Sequence, residues 1–316
     1  WLGVFIGSSV IGFWYWCTDQ FIVQRVLSGK DETQARRGAI FGAYLKLTPV
    51  FLFLIPGMVA FAMQKHGITV NGETFTMSSA DAAFPTLVAK LLPAGFKGLV
   101  VCGILAALMS SLASLFNSSA MLFTIDFYKK YRPKASEKTL LYVGRVATVV
   151  VVVLGILWIP VMKSVGSVLY NYLQDVQSVL APGIAAAFLL GICSKKATPK
   201  GGMWGLIAGF IIGITRLGAK VYYTSGATFS DSWFKYLFYD TNWLFFCGGM
   251  LLFCMLVIVV VSRFTTPAPA EQIVGLTFGS TTDEQKAVTR ASWNKWDVIH
   301  SAIIILITVV FYWYFW

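Results

Sequence analysis

The stretch from Gly12 to Arg25 reads GFWYWCTDQFIVQR and changes character in its middle. It continues an apolar run, becomes aromatic over residues 13–16, and then turns polar at Asp19 and Gln20. A helix that only crossed lipid would stay apolar, because polar groups at membrane depth are tolerated where they face protein or a water-filled cavity. This stretch therefore predicts an element that lines a pathway through a membrane protein.

The composition of the 316 residues also indicates a membrane protein. Hydrophobic residues make up 57% and charged residues 12% of the chain, whereas a soluble domain carries about 25% charged residues. The net charge of +11 fits basic cytoplasmic loops, so we expect no nucleic-acid partner. The five cysteines lie in apolar runs without a CxxC pair, which excludes a disulfide framework and gives no sign of zinc.

Eight apolar runs are read as membrane spans, since a span needs about 20 largely apolar residues. They cover residues 1–17, 39–63, 96–123, 140–162, 167–192, 202–222, 242–262 and 298–316. Lys and Arg concentrate in the loops after the first, third, fifth and seventh spans, which predicts that these loops are cytoplasmic. The predicted fold is an all-α polytopic protein embedded in a lipid bilayer.

Two segments outside the spans are distinctive. The outer loop at 64–95 is expected to hold a short amphipathic helix, and residues 264–297 read as a cytoplasmic linker. Trp1 already lies in an apolar run, so we expect the chain to be a piece of a longer protein.

Lys46 lies inside the second predicted span. A lysine at membrane depth usually faces a cavity, where its ammonium group can donate hydrogen bonds to substrate hydroxyls. Alternatively, its aliphatic stem snorkels toward the cytoplasmic start of the span, about 10 Å away at 1.5 Å per residue. The position alone favours the cavity only slightly.

The third span carries small and hydroxyl residues at helical spacing, among them Ser110 and Ser111. Such residues allow close helix packing, which is one interpretation. The other is a sodium site, because sodium is a hard cation that takes oxygen ligands as calcium and magnesium do. The two hydroxyls and the carbonyl of Ala107, one turn earlier, supply three oxygens, and a helix break elsewhere would supply the rest.

The fifth span begins with an amphipathic stretch in which Gln174 and Gln177 share a face. Amides that both donate and accept suit a neutral polyol, but the stretch equally fits a polar helix entrance wetted by an outer vestibule. Pro182 follows and is expected to disturb the helix. The sequence has no nucleotide-binding loop, nucleophile motif or usefully spaced carboxylate pair, so we expect no enzymatic activity.

Taken together, these stretches resemble the sodium/solute symporter family, most closely its sodium/glucose cotransporters. The resemblance covers nearly the whole chain, and its motifs fall in the expected order. It rests on residues 15–20 (YWCTDQ) with 22–25 (IVQR), 44–47 (YLKL), 109–118 (MSSLASLFNS) with 124–126 (TID), 172–174 (YLQ), 182–191 (PGIAAAFLLG) and 202–206 (GMWGL).

The resemblance implies a five-plus-five inverted-repeat (LeuT-like) transporter with its substrate between broken helices at the midplane. Residues 1–192 would be the second repeat of five helices, and 193–263 two additional helices. Residues 264–297 would be the linker and 298–316 the final helix. The first repeat would lie in N-terminal helices of the same protein that this chain lacks.

By position, the resemblance makes Tyr15 the inner gate beneath the sugar ring and Trp16 its neighbour in the site. It makes Lys46 and Gln174 sugar-binding residues, and it makes three residues of the third span the sodium ligands: Ala107, Ser110 and Ser111.

One position departs from the family pattern. Three residues before Tyr15, the sugar transporters carry a side chain that can hydrogen-bond, and this chain has Gly12. Either the sugar loses a contact, a water replaces it, or the substrate differs. Gly12 is also expected to be the break in the first helix, since glycine there frees backbone carbonyls.

The implied function is sodium-coupled symport of a hexose, such as glucose or galactose, by alternating access across the plasma (inner) membrane. Sodium would be the co-transported ion. The alternatives are symport of another solute (inositol, sialic acid, an amino acid or a monocarboxylate) and a non-transporting sensor or channel on the same fold. A channel should show a continuous polar face through several helices, whereas the polar clusters here lie near the predicted midplane.

Overall fold

A computed structural model describes residues 2–165, 169–224, 226 and 232–314. This part of the chain is almost entirely helical, and its strands form one antiparallel hairpin of β1 (Thr69–Val70) and β2 (Glu73–Thr74). Seven of the described helices are long and apolar enough to cross a membrane. The chain is therefore an all-α polytopic membrane protein, as the sequence predicts.

The longer helices are numbered in chain order. They are α1 (Val4–Thr18), α2 (Gln20–Leu27), α3 (Glu32–Lys65), α4 (Ala83–Leu91), α5 (Ala94–Tyr131), α6 (Glu137–Val165), α7 (Leu169–Cys193), α8 (Pro199–Thr224), α9 (Trp243–Arg263), α10 (Asp283–Ala291) and α11 (Lys295–Tyr314). Shorter helical turns lie at Ala80–Ala82, Ser232–Lys235, Tyr236–Asp240, Ala270–Ile273 and Phe278–Ser280.

The predicted spans agree with these helices except at some ends. The first predicted span is the shorter apolar helix α1, because the chain leaves the helix after Thr18. Helix α3 begins at Glu32, not at 39, because Asp31 Oδ1 accepts a hydrogen bond from the Gln34 amide at 2.7 Å and caps a charged first turn. The predicted start at 167, the end at 316 and Trp1 lie outside the described residues.

The chain divides into two compact units. The first consists of Trp1–Arg36 and Pro160–Lys295, and the second of Arg37–Ile159 and Trp296–Trp316.

The first unit is built on α7, α8 and α9. A buried glycine stripe on α8 faces both neighbours, with glycines at 201, 205, 209 and 213. A Cβ atom on Gly205 would lie 2.3 Å from Cγ1 of Ile258 in α9, and one on Gly213 would lie 2.4 Å from Cγ1 of Val179 in α7. The absence of side chains therefore lets the three helices approach closely.

Helix α7 is continuous through Pro182, contrary to the expectation of a disturbed helix. Proline has no N–H to bond the carbonyl four residues earlier, that of Ser178. Tight packing holds the helix together, since Pro182 and its neighbours Ala181 and Ala185 are fully or almost fully buried. Helix α1 joins this core through Val10 and Ile11, with Phe13 and Trp14 packed around them.

The second unit has a small separate core at the end of α3. Ala60 and Met63 of α3 pack with Phe75 beside the hairpin and Leu87 of α4. The short helix expected between the second and third spans is confirmed as α4, and its position on the outer side stays a prediction. Elsewhere in this unit, side chains of α11 contact α3, and the Tyr44 hydroxyl lies 3.1 Å from Nδ1 of His300.

Candidate substrate and sodium sites

The aromatic stretch of α1 forms a widened turn immediately before a helix break. Residues Trp14–Thr18 are π-helical, so the amide of Asp19 bonds the carbonyl of Trp14 at 3.0 Å. The Thr18 hydroxyl donates to the same carbonyl at 2.7 Å. Asp19 is extended (φ −74°, ψ 117°), and its Oδ1 accepts from the Phe21 amide at 3.2 Å to cap α2. Single π turns of this kind occur frequently at functional sites.

The prediction that Gly12 breaks this helix is wrong. Gly12 lies within the regular helical turn Ser9–Phe13. The break falls at Asp19 because the side chains of Thr18 and Asp19 bond nearby backbone groups and compete with the helical ladder.

The turn holds Tyr15 and Trp16 beside the buried core of the first unit. Trp14 packs against the apolar cluster that joins α1 to α7 and α9. Tyr15 is half-buried and makes an edge-to-face contact with Trp16, with ring centroids 5.5 Å apart at 88°. Trp16 is 42% exposed. The pair therefore offers aromatic faces of the kind that can stack on a sugar ring.

Gln174 lies on α7, a helix that contacts the turn Trp14–Thr18 directly. Its side chain is half-buried, and Nε2 donates a hydrogen bond to the hydroxyl of Tyr170, one turn earlier, at 2.9 Å. The first unit thus brings the helix of Gln174 against the turn of Tyr15 and Trp16. An amide hydrogen-bonding group and two aromatic rings are a suitable set for a polyol.

Directly after Gln174 lies an ion pair that sequence reasoning missed. Arg216 is fully buried, and its Nη2 lies 3.0 Å from Oδ1 of Asp175. Lys220 Nζ lies 3.5 Å from Oδ2 of the same carboxylate. Both cations lie within the predicted span at 202–222. Two cations four residues apart in an apolar run, with a carboxylate in the preceding span, are the signal that could have revealed the pair.

Lys46 belongs to the second unit and is exposed there. It is the second-last residue of the α-helical segment Glu32–Leu47. Pro49 has no N–H for the carbonyl of Leu45, which instead accepts from the amide of Thr48 at 3.1 Å and from its hydroxyl at 2.6 Å. A π-helical turn, Val50–Leu54, follows. Lys46 therefore stands next to an irregular stretch of α3.

The predicted sodium ligands lie on an exposed face of α5 in the second unit. Ala107, Ser110 and Ser111 are all exposed. The carbonyl of Ser110 accepts a hydrogen bond from the Ser114 hydroxyl at 3.1 Å. These oxygens remain a prediction as sodium ligands. Among the described residues, no group of three or more His, Cys, Asp or Glu forms a metal site.

Two cavities in the described parts of the chain are mostly apolar. One of about 340 Å³ lies between α7 and α8 in the first unit. The other, of about 700 Å³, lies between α3 and α11 in the second unit and is lined by residues such as Phe51 and Phe311. Neither is lined by a predicted site residue, and both suit lipid chains better than a sugar.

Comparison with protein families decides the classification. The model of the sodium:solute symporter family matches residues 1–209, well over half of the chain. The chain belongs to the sodium:solute symporter family. This match includes all seven predicted site residues, although it assigns no role to any of them.

Several relatives of this chain are named as sodium/sugar cotransporters. The chain is 40% identical to "Sodium/glucose cotransporter 1" of Ovis aries over 84% of its length, and 41% identical to "Sodium/glucose cotransporter 4" of Homo sapiens over 88%. It is 36% identical to a sodium/mannose cotransporter of Bos taurus over its full length. The aligned parts make up 41%, 42% and 56% of those symporters, so the chain spans about half or less of each.

Proposed function

We propose that this chain is part of a symporter that couples sodium entry to the uptake of a hexose. The observation that carries the proposal is the identity of about 40% with sodium/glucose cotransporters over most of the chain. The first unit is consistent with it, since Tyr15 and Trp16 present aromatic rings next to the helix of Gln174. The reaction is transport without covalent chemistry, so the protein is not an enzyme.

In this proposal each predicted site residue has one physical task. Tyr15 closes the inner side of the site by stacking under the sugar ring, and Trp16 forms a wall. Lys46 and Gln174 hydrogen-bond the sugar hydroxyls. Sodium is held by oxygens of α5, contributed by Ala107, Ser110 and Ser111.

The driving force is the electrochemical gradient of sodium. Each charge that moves across the membrane contributes about 2.3 kcal/mol per 100 mV of potential. Sodium binding favours the outward-facing state, sugar binding closes the outer side, and sodium release frees Tyr15 to move. The cycle requires that sodium binds the two states with different affinity.

The proposal extends to architecture and location. Residues 1–192 form the second inverted repeat, 193–263 two additional helices, 264–297 a cytoplasmic linker and 298–316 the final helix. The first repeat comes from N-terminal helices of the same protein. The protein works in the plasma (inner) membrane.

The test is uptake of labelled solute by cells that express the full-length protein. Uptake of glucose, galactose or mannose should require sodium and should collapse when choline replaces it. The panel includes inositol, sialic acid, an amino acid and a monocarboxylate. Hexose uptake that persists in choline would overturn sodium coupling, and sodium-dependent uptake of another solute alone would overturn the hexose.

A further inference from the structure

Arg216 ties three elements of the first unit together from a fully buried position. Its own backbone belongs to α8, and Nη2 bonds Oδ1 of Asp175 on α7 at 3.0 Å. The same nitrogen donates to the carbonyl of Thr241 at 2.9 Å, immediately before α9. The guanidinium also lies over the ring of Phe246 in α9, 4.0 Å from the centroid. In the described structure, Nε and Nη1 make no hydrogen bond, so the carboxylate is the main polar partner of this cation.

The N-terminal half of α7 has one backbone hydrogen bond fewer to the rest of its helix than it would have without Pro182. Pro182 supplies no N–H to the carbonyl of Ser178, so the backbone ladder lacks one bond between the two halves of α7. The Ser178 hydroxyl bonds the carbonyl of Asp175 at 2.7 Å and stays within the same half. The buried ion pair, together with the packing of Val179 against Gly213, therefore holds this half of α7 against α8.

Gln174 is the residue immediately before Asp175. Neighbouring residues of a helix are separated by a fixed rotation and a 1.5 Å rise, so any movement of Asp175 relative to Arg216 carries Gln174 with it. A shift of about 1 Å in a positioning group can change the rate of an enzyme by orders of magnitude, and a binding site built on the same contacts is similarly sensitive.

We infer that Asp175 and Arg216 are a positioning pair, which sets the affinity for the transported sugar by holding Gln174 in place without touching the sugar. The inference rests on the proposed function, in which Gln174 hydrogen-bonds the transported sugar. Lys220 Nζ lies 3.5 Å from Oδ2 of the same carboxylate and is partly exposed. It therefore contributes less than Arg216 to the position of Asp175.

The test is sodium-dependent hexose uptake by the full-length protein at saturating sodium, with the rate divided by the amount of protein at the cell surface. Asp175→Asn should raise the half-saturating hexose concentration at least fivefold and leave the maximal rate per transporter within twofold. Asp175→Glu, which keeps the charge, should recover part of the affinity. Lys220→Gln is the matched control and should change the half-saturating concentration less than twofold.

The double variant Asp175→Asn with Arg216→Gln tests whether the ion pair positions Gln174 or whether Asp175 only neutralises the buried charge of Arg216. It removes both charges of the fully buried contact and leaves only the partly exposed Lys220 without the carboxylate, so its surface level should exceed that of Asp175→Asn. Its half-saturating hexose concentration should stay raised. Recovery of the wild-type value, or an unchanged value in Asp175→Asn, would overturn the positioning role.

A second readout does not need the proposed function. Cys17, Cys102 and Cys193, which are exposed, are first replaced by Ser, and Gln174→Cys is then modified with a water-soluble thiol reagent. Adding Asp175→Asn should change the modification rate at least threefold, and equal rates would contradict positioning. Absence of hexose uptake by the wild-type protein would reject the proposed function while this measurement still decides the role of the pair.

Discussion

Gly205 of α8 and Ile258 of α9 are packed so closely that a single methyl group on Gly205 would overlap the isoleucine. The added Cβ would lie 2.3 Å from Cγ1 and 2.9 Å from Cδ1 of Ile258, which is itself almost fully buried. Cγ1 is bonded directly to the branched Cβ of Ile258, so it has little freedom to move away. The contact therefore fixes the distance between the two helices.

Gly205→Ala should lower the stability of the full-length protein by about 1–3 kcal/mol, the usual cost of overpacking a core. Gly202→Ala is the matched control, since Gly202 lies on the same helix and a Cβ there meets nothing within 4 Å. Alanine is the better helix former, so the control should be neutral or slightly stabilising. The check is the melting temperature in detergent, and equal values for both variants would contradict the close packing.

Asp19→Ala should destabilise the start of α2 by about 1 kcal/mol, because it removes the side chain that accepts from the Phe21 amide. Asp19→Asn keeps a capping oxygen and should retain most of the stability. Hydrogen exchange at the amides of residues 20–23 measures the effect locally. Equal protection in both variants would show that the cap does not stabilise the break.

Gly12→Asn should improve the affinity for hexose. The position has open space, since an added Cβ meets nothing within 4 Å, and the family resemblance places a hydrogen-bonding side chain there. One additional hydrogen bond of about 1 kcal/mol corresponds to a roughly fivefold lower half-saturating concentration. Gly38→Asn, at another open helical glycine, should have no such effect. A weaker affinity in Gly12→Asn would indicate that the transported solute is different.

Gln174→Ala should raise the half-saturating hexose concentration about tenfold, in line with the loss of one or two hydrogen bonds of about 1 kcal/mol each. Tyr170→Phe removes only the hydroxyl that accepts from Gln174 at 2.9 Å and should have a smaller effect. Lys46→Ala should also reduce uptake sharply. If Gln174→Ala and Lys46→Ala both transported hexose like the wild type, neither residue would bind the sugar.

Ser110→Ala and Ser111→Ala should each raise the sodium concentration needed for half-maximal uptake, because each removes one hydroxyl oxygen from a hard-cation site. The hexose affinity at saturating sodium should change little. Ser118→Ala is the control, since its hydroxyl bonds the carbonyl of Ser114 within its own helix at 2.9 Å. The measurement is hexose uptake as a function of sodium, and identical sodium curves for all three variants would exclude the proposed ligands.

The apolar runs predicted the spans well because hydropathy and length are properties of the local sequence. The helix ends were less accurate. The start of α3 at Glu32 depends on the cap by Asp31, and the break at Asp19 depends on side-chain bonds that hydropathy does not register. Attention to glycine alone placed the break at Gly12, seven residues too early.

The contacts between helices could not be predicted in the same way. The apolar run around Arg216 indicated a membrane helix, but its partner Asp175 is 41 residues earlier. Their pairing depends on which helices are neighbours, and that is decided by packing such as the contact of Gly213 with Val179. The residues alone left two interpretations open for Lys46 and for the serines in α5, the resemblance favoured the binding roles, and these roles stay predictions.

The hairpin that follows α3 provides a way to measure the membrane topology of the chain. Its two-residue turn, Asn71 and Gly72, has positive φ at both positions and is exposed, whereas Phe75 behind it is fully buried. A short epitope inserted at the turn should leave that small core intact. Antibody staining of unpermeabilised cells would then report directly whether the hairpin faces the outside, and with it the direction in which every span of the chain crosses the bilayer.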